Sequence, residues 1–234
     1  MQLFYITGTS SGLGLALAQL LLEDNQNIVI GISRRKTIEH DRNHHVAHDL
    51  KTRPNSTLFE PVDESYTKIT LINNAGSLGP IKAAHLQTPE EILENYLINL
   101  STPSIMSAQF IKAYEGHTAQ LMIINVSSGA GKHPISSWST YCASKAGLDL
   151  FSEVLQLENP QCKVLSLAPG IVDTPMQTEI RSSDPKLFPD HARFVEYKKD
   201  GELASAEEVA QKYLKAINQI NLFDKVVVSV RDID

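Results

Sequence analysis

Cysteine is scarce in this chain of 234 residues, and long apolar runs are missing altogether. The two cysteines, Cys142 and Cys162, are too few for a disulfide framework, which favours a reducing compartment. No apolar run is long enough to cross a bilayer. The apolar segment Leu3–Ile6 leads straight to Gly8, which leaves no room for a signal peptide. We therefore expect a cytoplasmic protein without a membrane partner.

An excess of basic residues is also missing. Lysine and arginine total 21 against 27 acidic residues, a formal net charge of -6 at pH 7. A nucleic acid or an anionic membrane surface attracts a positive field, so neither is expected as the main partner. Hydrophobic residues at 42% and charged residues at 21% are typical of a globular protein. No Pro- or Gly-rich linker interrupts the chain, and we expect one domain over residues 1–234.

Short apolar runs alternate with longer amphipathic stretches, which predicts right-handed βαβ units on a parallel sheet, an α/β fold. The expected strands, rich in Ile, Val and Leu, are Leu3–Thr7, Ile28–Ile32, His45–His48, Ile69–Ile72, Leu121–Val126, Lys163–Ala168 and Lys225–Val230. The expected helices are Gly12–Asp24, Pro89–Tyr114, Trp138–Leu157 and Ala206–Asn218. The least regular stretch, Asp173–Glu202, follows a strand and is expected to form an active-site lid.

A glycine-rich loop joins the first predicted strand to the first predicted helix. Glycines permit a tight turn and a close approach of the backbone to a pyrophosphate, and the helix N-terminus offers free N–H groups. The residues expected to bind a cofactor there are Gly8, Ser10, Ser11, Gly12, Leu13 and Gly14. A glycine pattern alone is also compatible with a plain strand–helix turn.

The end of the second predicted strand indicates the kind of dinucleotide. An acidic residue at this place binds the ribose 2′-hydroxyl of NAD, whereas arginine suits the 2′-phosphate of NADP. This chain has Arg34 and Arg35 there, and the planar guanidinium of Arg34 can make paired hydrogen bonds to phosphate. The sequence therefore predicts NADP(H) as the cofactor. A solvated basic turn is the alternative, more so for Arg35 than for Arg34.

Tyr141 and Lys145 lie four residues apart, on one face of a predicted helix. A free tyrosine keeps its proton to about pH 10, and a nearby ammonium lowers that pKa. The pair therefore predicts a proton donor to the alkoxide that forms when a hydride reaches a carbonyl. Ser128, with Ser127 as the alternative, is expected to bind the substrate oxygen. The alternative is a solvent-exposed Tyr–Lys pair on a helix with no catalytic role. The predicted phosphate-binding loop upstream disfavours this alternative.

In combination, these motifs resemble the short-chain dehydrogenase/reductase family over essentially the whole chain. Asn73–Gly76 is similar to its Asn-Asn-Ala-Gly signature, Asn99 to its fourth catalytic residue, and Pro169–Thr174 to the segment at the nicotinamide. The resemblance implies a three-layer, Rossmann-like, doubly wound sheet. It also implies homodimers or homotetramers through the two long helices.

The resemblance further implies roles for individual residues. Ser128, Tyr141 and Lys145 match the catalytic serine, tyrosine and lysine, and Asn99 would hold a water in a proton relay to Lys145. Tyr141 and Lys145 would also contact the cofactor. The other cofactor contacts that the resemblance implies are Asp49, Leu50, Asn74, Ala75, Gly76, Pro169, Gly170, Ile171, Val172 and Thr174.

Asn73–Gly79 and Trp138–Ala143 look like the sepiapterin and benzil reductases of that family, which reduce vicinal dicarbonyls. The acidic residue that holds the pterin in sepiapterin reductases aligns with Ser229, and Asp232 and Asp234 lie nearby. We therefore expect NADPH-dependent reduction of a carbonyl, preferably in a vicinal dicarbonyl. The alternatives are oxidation of a sugar or steroid-like alcohol, and NADP(H) sensing without catalysis.

Several side chains near these motifs allow two interpretations. Trp138 lines the substrate pocket or packs at a subunit contact. Cys142 is expected to be a small buried hydrophobe, and Met176 and Phe188 are candidates for substrate contact. Four histidines, whose spacing fits no strong zinc pattern, predict no metal site: His40, His44, His45 and His48.

Overall fold

The structure is a computed structural model that describes residues 1–52 and 58–233. Within these ranges one parallel sheet has the strand order β3-β2-β1-β4-β5-β6-β7. Its strands are β1 (Gln2–Thr7), β2 (Asn27–Ser33), β3 (Asn43–Ala47), β4 (Lys68–Asn73), β5 (Gln120–Val126), β6 (Cys162–Ala168) and β7 (Val227–Ser229). The order reverses between β1 and β4, and open α/β sheets bind ligands in the crevice at such a point. The predicted doubly wound α/β fold is confirmed.

Helices cover both faces of the sheet. They are α1 (Gly12–Leu22), α2 (Pro89–Tyr96), α3 (Thr102–Ala113), α4 (Ser139–Glu158), α5 (Pro175–Arg181), α6 (His191–Lys199) and α7 (Ala206–Asn218). Single 3₁₀ turns lie at Ala84–Leu86, Gly129–Gly131, Ile220–Leu222 and Val230–Asp232. In the described ranges no helix has the length and apolar character that a membrane span needs.

The strand β1 shows why the sheet has two buried faces. Phe4 and Ile6 pack into the core under α1 and α7, whereas Leu3 and Tyr5 pack into the core under α3 and α4. Successive side chains of a strand point to opposite faces, so a strand that is apolar throughout requires a layer of helices on each side. The three-layer arrangement follows from this requirement.

The expected single helix from residue 89 to residue 114 is wrong in its middle. A π-helical turn, Leu97–Ser101, separates α2 from α3. Pro103 has no N–H, so the carbonyl of Asn99, four residues earlier, cannot receive its α-helical hydrogen bond. The Thr102 N–H instead bonds to the Leu97 carbonyl, five residues back. Turns of this kind are frequent at functional sites, and Asn99 lies in this one.

The stretch after β6 is more regular than we expected. Residues 173–202 contain α5 and α6, and Pro175 occupies the first turn of α5, where a missing N–H costs nothing. Ile180 of α5 and Phe194 of α6 are buried in an apolar cluster with Trp138. The prolines and charges that suggested an irregular loop therefore belong to a stretch with two short packed helices.

Candidate active site

The loop between β1 and α1 packs against the segment after β4. Gly8 and Gly12 have φ of 77° and 55°, which other residues rarely adopt. The Asn74 side-chain amide donates to the Thr7 carbonyl (2.8 Å), and the Asn74 N–H donates to the Thr7 hydroxyl (2.9 Å). A Cβ on Gly14 would lie 2.3 Å from Asn74 Nδ2. The glycines at 8, 12 and 14 are thus required by backbone conformation and by close approach.

The N-terminus of α1 is left available to an anion. Ser11 precedes the helix without capping it, so the first-turn N–H groups keep no side-chain acceptor. The Leu13 side chain is buried in the core, which leaves only its backbone for a ligand. Thr174 Cγ2 lies 3.1 Å from the place of a Cβ on Gly12. Thr174, the last residue of the segment Pro169–Thr174, therefore lies against the glycine loop.

The basic turn after β2 is exposed and anchored at its base. Arg34 and Arg35 are exposed, and the Ser33 hydroxyl donates to the Arg35 carbonyl (2.8 Å). His45 Nε2 lies 3.0 Å from the Ser33 carbonyl, which only accepts, so this nitrogen carries the proton. Sequence reasoning missed Ser33 and His45 as supports of this turn. The pairing of β2 with β3, which brings them together, is not visible in local sequence.

Asp49 and Leu50 lie just beyond β3. The Asp49 carboxylate accepts from the Lys51 N–H (3.0 Å), and the partly buried Leu50 side chain packs against the core under α3. Both residues are half-buried and therefore remain partly accessible beside the end of β3.

Asn99 is fully buried, and hydrogen bonds with Ser77 and Asn95 fix its side chain. Its amide nitrogen donates to the Ser77 carbonyl (2.7 Å), and its amide oxygen accepts from the Ser77 N–H (3.0 Å). A Cβ on Gly76 would lie 3.1 Å from Asn99 Oδ1 and 3.7 Å from Lys145 Nζ. The π-helical turn, the loop after β4 and α4 therefore meet at one point.

Tyr141 and Lys145 are both buried on α4, and Lys145 Nζ lies 5.8 Å from the centre of the Tyr141 ring. Burial raises the pKa of Tyr141, while a hydrogen bond with the Ser128 side chain lowers it. Our expectation that the ammonium brings this pKa below its ordinary value is wrong, because burial outweighs the lowering effects. The phenol therefore holds its proton at neutral pH.

The pKa of Lys145 shifts in the opposite direction, because burial favours its uncharged form. Burial lowers the pKa of Lys145 to about 8, and the Asp149 charge opposes this change. Lys145 Nζ donates to the Val126 carbonyl (2.8 Å). The ammonium therefore predominates at pH 7 and is lost within the range of ordinary assays.

The structure distinguishes the two candidate serines. The Ser127 hydroxyl donates to the buried Asp149 carboxylate (2.5 Å). The Ser128 hydroxyl accepts from the Ala130 N–H (3.2 Å), and the Ser128 side chain lies near enough to Tyr141 to lower the pKa of its phenol. Ser128 is therefore the serine beside the tyrosine, and Ser127 belongs to the support behind it.

Aromatic side chains form a wall next to Tyr141. The Trp138 ring meets the Tyr141 ring edge-on (centroids 5.8 Å apart) and stacks on Phe188 (5.6 Å). Trp138 is buried within the protomer, which contradicts the subunit-contact alternative. Its indole N–H has no hydrogen-bond partner among the residues described. Cys142 and Met176 are partly buried against this cluster, as expected for Cys142.

The structure also places Phe188 and Asp232, one of the acidic residues near the C-terminus. Phe188 is 0% exposed, so the suggestion that it touches a substrate is wrong. The Asp232 carboxylate accepts from the Ser229 N–H (3.0 Å) and so caps the last 3₁₀ turn, whereas Asp234 lies outside the described residues. Within residues 1–52 and 58–233, no group of three or more His, Cys, Asp or Glu side chains is placed to hold a metal ion.

Comparison with known proteins identifies the family that this arrangement belongs to. Residues 2–185, which include all four predicted catalytic residues, match the family model described as short chain dehydrogenase. The chain is a short-chain dehydrogenase. It is therefore an oxidoreductase of a family that uses nicotinamide cofactors on small molecules, and the resemblance seen in the sequence is confirmed.

Individual relatives of this short-chain dehydrogenase cover most of its length. A benzil reductase ((S)-benzoin forming) of Bacillus subtilis (strain 168) is 36% identical over 230 residues, 94% of each chain. A sepiapterin reductase of Meriones unguiculatus is 33% identical over 164 residues, 68% of this chain and 62% of the relative. A short-chain dehydrogenase/reductase structure from Saccharomyces cerevisiae has a TM-score of 0.81 at 24% identity, over 98% and 96% of the two chains, and shares the fold.

The glycine loop of this short-chain dehydrogenase makes a direct prediction. Gly14→Val should weaken binding of the nicotinamide cofactor about 10-fold or more, because the new side chain meets Asn74 Nδ2 and the Gly8 carbonyl. Titration of the cofactor's fluorescence measures the affinity. Gly129→Ala is the control, since a Cβ there meets nothing within 4 Å. Equal affinity in Gly14→Val and wild type would contradict the prediction.

Proposed function

We propose that this chain reduces a carbonyl group with NADPH, and that its substrates are vicinal dicarbonyls. The observation that carries the proposal is the convergence of three groups: the Ser128 side chain acts on the phenol of the buried Tyr141, and Lys145 Nζ lies 5.8 Å from the centre of the same ring. These three groups are the ones that carbonyl reduction needs: a donor to the substrate oxygen, a proton source and a cation to stabilise the phenolate.

The described residues fit a dinucleotide. Gly14 packs so closely against Gly8 and Asn74 that a Cβ there would clash with both, so the glycine loop holds the start of α1 directly against the end of the sheet. The uncapped start of α1 offers N–H groups to a pyrophosphate, and Arg34 and Arg35 offer charge to a 2′-phosphate. NADPH bound there supplies the hydride. We propose that residues 1–234 act together as one NADP(H)-binding unit.

Each side chain has a defined part in the proposed reaction. The Ser128 hydroxyl donates a hydrogen bond to the substrate oxygen and orients it. Tyr141 gives its proton to the same oxygen as the alkoxide develops. Lys145 stabilises the resulting phenolate and contacts the cofactor, and Asn99 holds a water in the relay that returns a proton to Tyr141. The position of Asn99 supports this part, because the place of a Cβ on Gly76 lies 3.1 Å from Asn99 Oδ1 and 3.7 Å from Lys145 Nζ.

The direction of the pKa shift supports reduction over oxidation. Oxidation of an alcohol requires the phenolate of Tyr141 as a base, and burial raises the pKa of Tyr141 and works against this form. Reduction requires the protonated phenol, which burial favours. A sensor without catalysis would not need Ser128, Tyr141 and Lys145 to converge, so we do not favour that alternative.

The proposed substrate class rests on the aromatic wall and on the relatives. Benzil, after which the Bacillus subtilis relative is named, carries two aromatic rings on neighbouring carbonyls. The edge of Trp138 lies beside Tyr141, and the partly buried Met176 adds an adaptable apolar surface. A pterin finds less support, because the Asp232 carboxylate already caps a turn and Ser229 is uncharged.

We also propose a homodimer or homotetramer in the cytoplasm. One face of α4 exposes large apolar side chains at helical spacing: Leu150 (62% exposed), Val154 (42%) and Leu157 (82%). A contiguous exposed apolar surface is typical of an interface. Both cysteines are free thiols, which supports a reducing compartment.

Tyr141→Phe tests the proposed chemistry. It removes the proton donor and keeps the ring against Trp138, so turnover should fall by at least about 100-fold while NADPH affinity changes little. NADPH consumption is followed with benzil, 1-phenyl-1,2-propanedione, sepiapterin and simple ketones. Turnover of none of the dicarbonyls by the wild type would refute the substrate class. Full activity in the variant would refute the mechanism.

Arg34→Ala tests the choice of cofactor. Loss of a guanidinium that faces the 2′-phosphate should raise KM for NADPH about 10-fold or more and leave KM for NADH nearly unchanged. Steady-state kinetics with each cofactor provide the comparison, and Arg42→Ala serves as a charge-matched control because Arg42 is tied to the Leu22 and Asn27 carbonyls. Equal losses with both cofactors would argue against the assignment.

A further inference from the structure

A buried carboxylate lies one helical turn beyond Lys145, and none of the motifs above gives it a role. Asp149 is only 8% exposed. Its Oδ1 atom accepts a hydrogen bond from the Ser127 hydroxyl (2.5 Å) and another from the Ser166 hydroxyl (2.6 Å). A buried charge is costly unless such bonds satisfy it, so this position is a specialised one.

The bonds of Asp149 and Lys145 end on neighbouring residues of the sheet. Lys145 binds the carbonyl of Val126, the last residue of β5, and Asp149 binds the side chain of Ser127, the next residue. Ser128 follows immediately. One face of α4 therefore binds Val126 and Ser127, the two residues that precede Ser128.

The turn that Ser128 begins also rests on this part of α4. A Cβ on Gly131 would lie 3.1 Å from Asp149 Oδ2 and 3.0 Å from the Lys145 backbone carbon. The turn Gly129–Gly131 is thus in direct contact with the helix between these two residues. Ser128 is supported from the strand on one side and from the turn on the other.

The surroundings of Asp149 make its charge effective on Lys145. The elements packed against Asp149 contribute uncharged groups: Ser127 after β5, Ser166 on β6 and the Gly131 backbone. On α4 the ionisable groups towards the site are Lys145 and, one turn further, Tyr141. Burial lowers the pKa of Lys145 to about 8, and the Asp149 charge limits this fall.

We propose that Asp149 is a positioning residue, which holds the Ser128 loop on α4 and places a buried carboxylate one helical turn from Lys145, without contacting substrate. This inference rests on the proposed function, because the roles of Lys145 and Ser128 belong to it. It adds a residue that acts through both of them at once.

The first test measures the Lys145 ionisation without turnover. Lysine labelled with ¹³C at Cε is titrated by NMR in the full-length protein, and Lys145→Met assigns the signal. In Asp149→Asn the midpoint of Lys145 should fall by about one pH unit, because an opposite charge no longer favours the ammonium. Ser166→Ala removes a hydrogen bond and keeps the charge, so its midpoint should equal that of the wild type.

The second test follows kcat/KM for benzil as a function of pH at saturating NADPH. With a midpoint near 8 in the wild type and near 7 in Asp149→Asn, the ammonium fraction at pH 8 falls from about a half to about a tenth, so kcat/KM falls about fivefold. Near pH 6 both proteins carry the ammonium, and the two rates should be much closer. A merely structural role would lower the rate equally at every pH.

The outcomes separate this inference from the proposed function. An unchanged Lys145 midpoint in Asp149→Asn, or an equal fall in Ser166→Ala, overturns the inference even if dicarbonyls are reduced. Absence of dicarbonyl turnover in the wild type instead counts against the proposed function, while the NMR midpoints still decide the role of Asp149. Asp149→Ser, which keeps a hydroxyl for Ser127 and Ser166, replaces the asparagine variant if that one does not fold.

Discussion

A hydrogen bond from the Lys145 ammonium to the Val126 carbonyl holds α4 against the sheet beside the candidate site. It joins the middle of a long helix to the last residue of β5 in a place from which solvent is excluded. Tyr141 lies one turn before Lys145, and Ser128 follows Val126 by two residues. This bond and the Asp149–Ser127 bond beside it therefore both tie the helix of the predicted proton donor to the strand end that carries the predicted oxygen-binding serine.

The burial that makes this bond strong also affects the protonation states of Tyr141 and Lys145. A dry environment favours the neutral form of every ionisable group. For Tyr141 the neutral form is the proton donor, so burial and function agree. For Lys145 the neutral form is the wrong one, and the Asp149 carboxylate opposes it. Burial thus acts on both side chains, and a neighbouring group opposes it at each: Ser128 at Tyr141 and Asp149 at Lys145.

Much of this arrangement was predictable from local patterns. Three features follow from residues that are close in the sequence. They are the uniformly apolar β1, the glycines at 8, 12 and 14, and the helical spacing of Tyr141 and Lys145. The π-helical turn could also have been predicted, because Pro103, four residues after Asn99, cannot donate the α-helical hydrogen bond. Helical periodicity alone did not indicate it. The helices α5 and α6 were missed because their buried residues are few and charges separate them.

The remaining features depend on contacts between distant segments. Ser127 and Ser128 are equivalent in the sequence, and only the packing of α4 against β5 and β6 gives one of them to Asp149 and the other to Tyr141. The support of the basic turn by His45 likewise requires the β2–β3 pair. The direction of the Tyr141 pKa shift is a third such feature. The spacing of Tyr141 and Lys145 predicts a nearby ammonium, but it does not predict how deeply the tyrosine is buried.

The account depends most directly on the ionisation of Tyr141, which ultraviolet difference titration can measure. The phenolate absorbance of the wild type minus that of Tyr141→Phe isolates this side chain. The account predicts that no phenolate signal from Tyr141 develops below about pH 10, since burial raises its pKa above the ordinary value. A phenolate signal that develops near neutral pH would contradict the account, because a tyrosine poised as a base would then occupy the site.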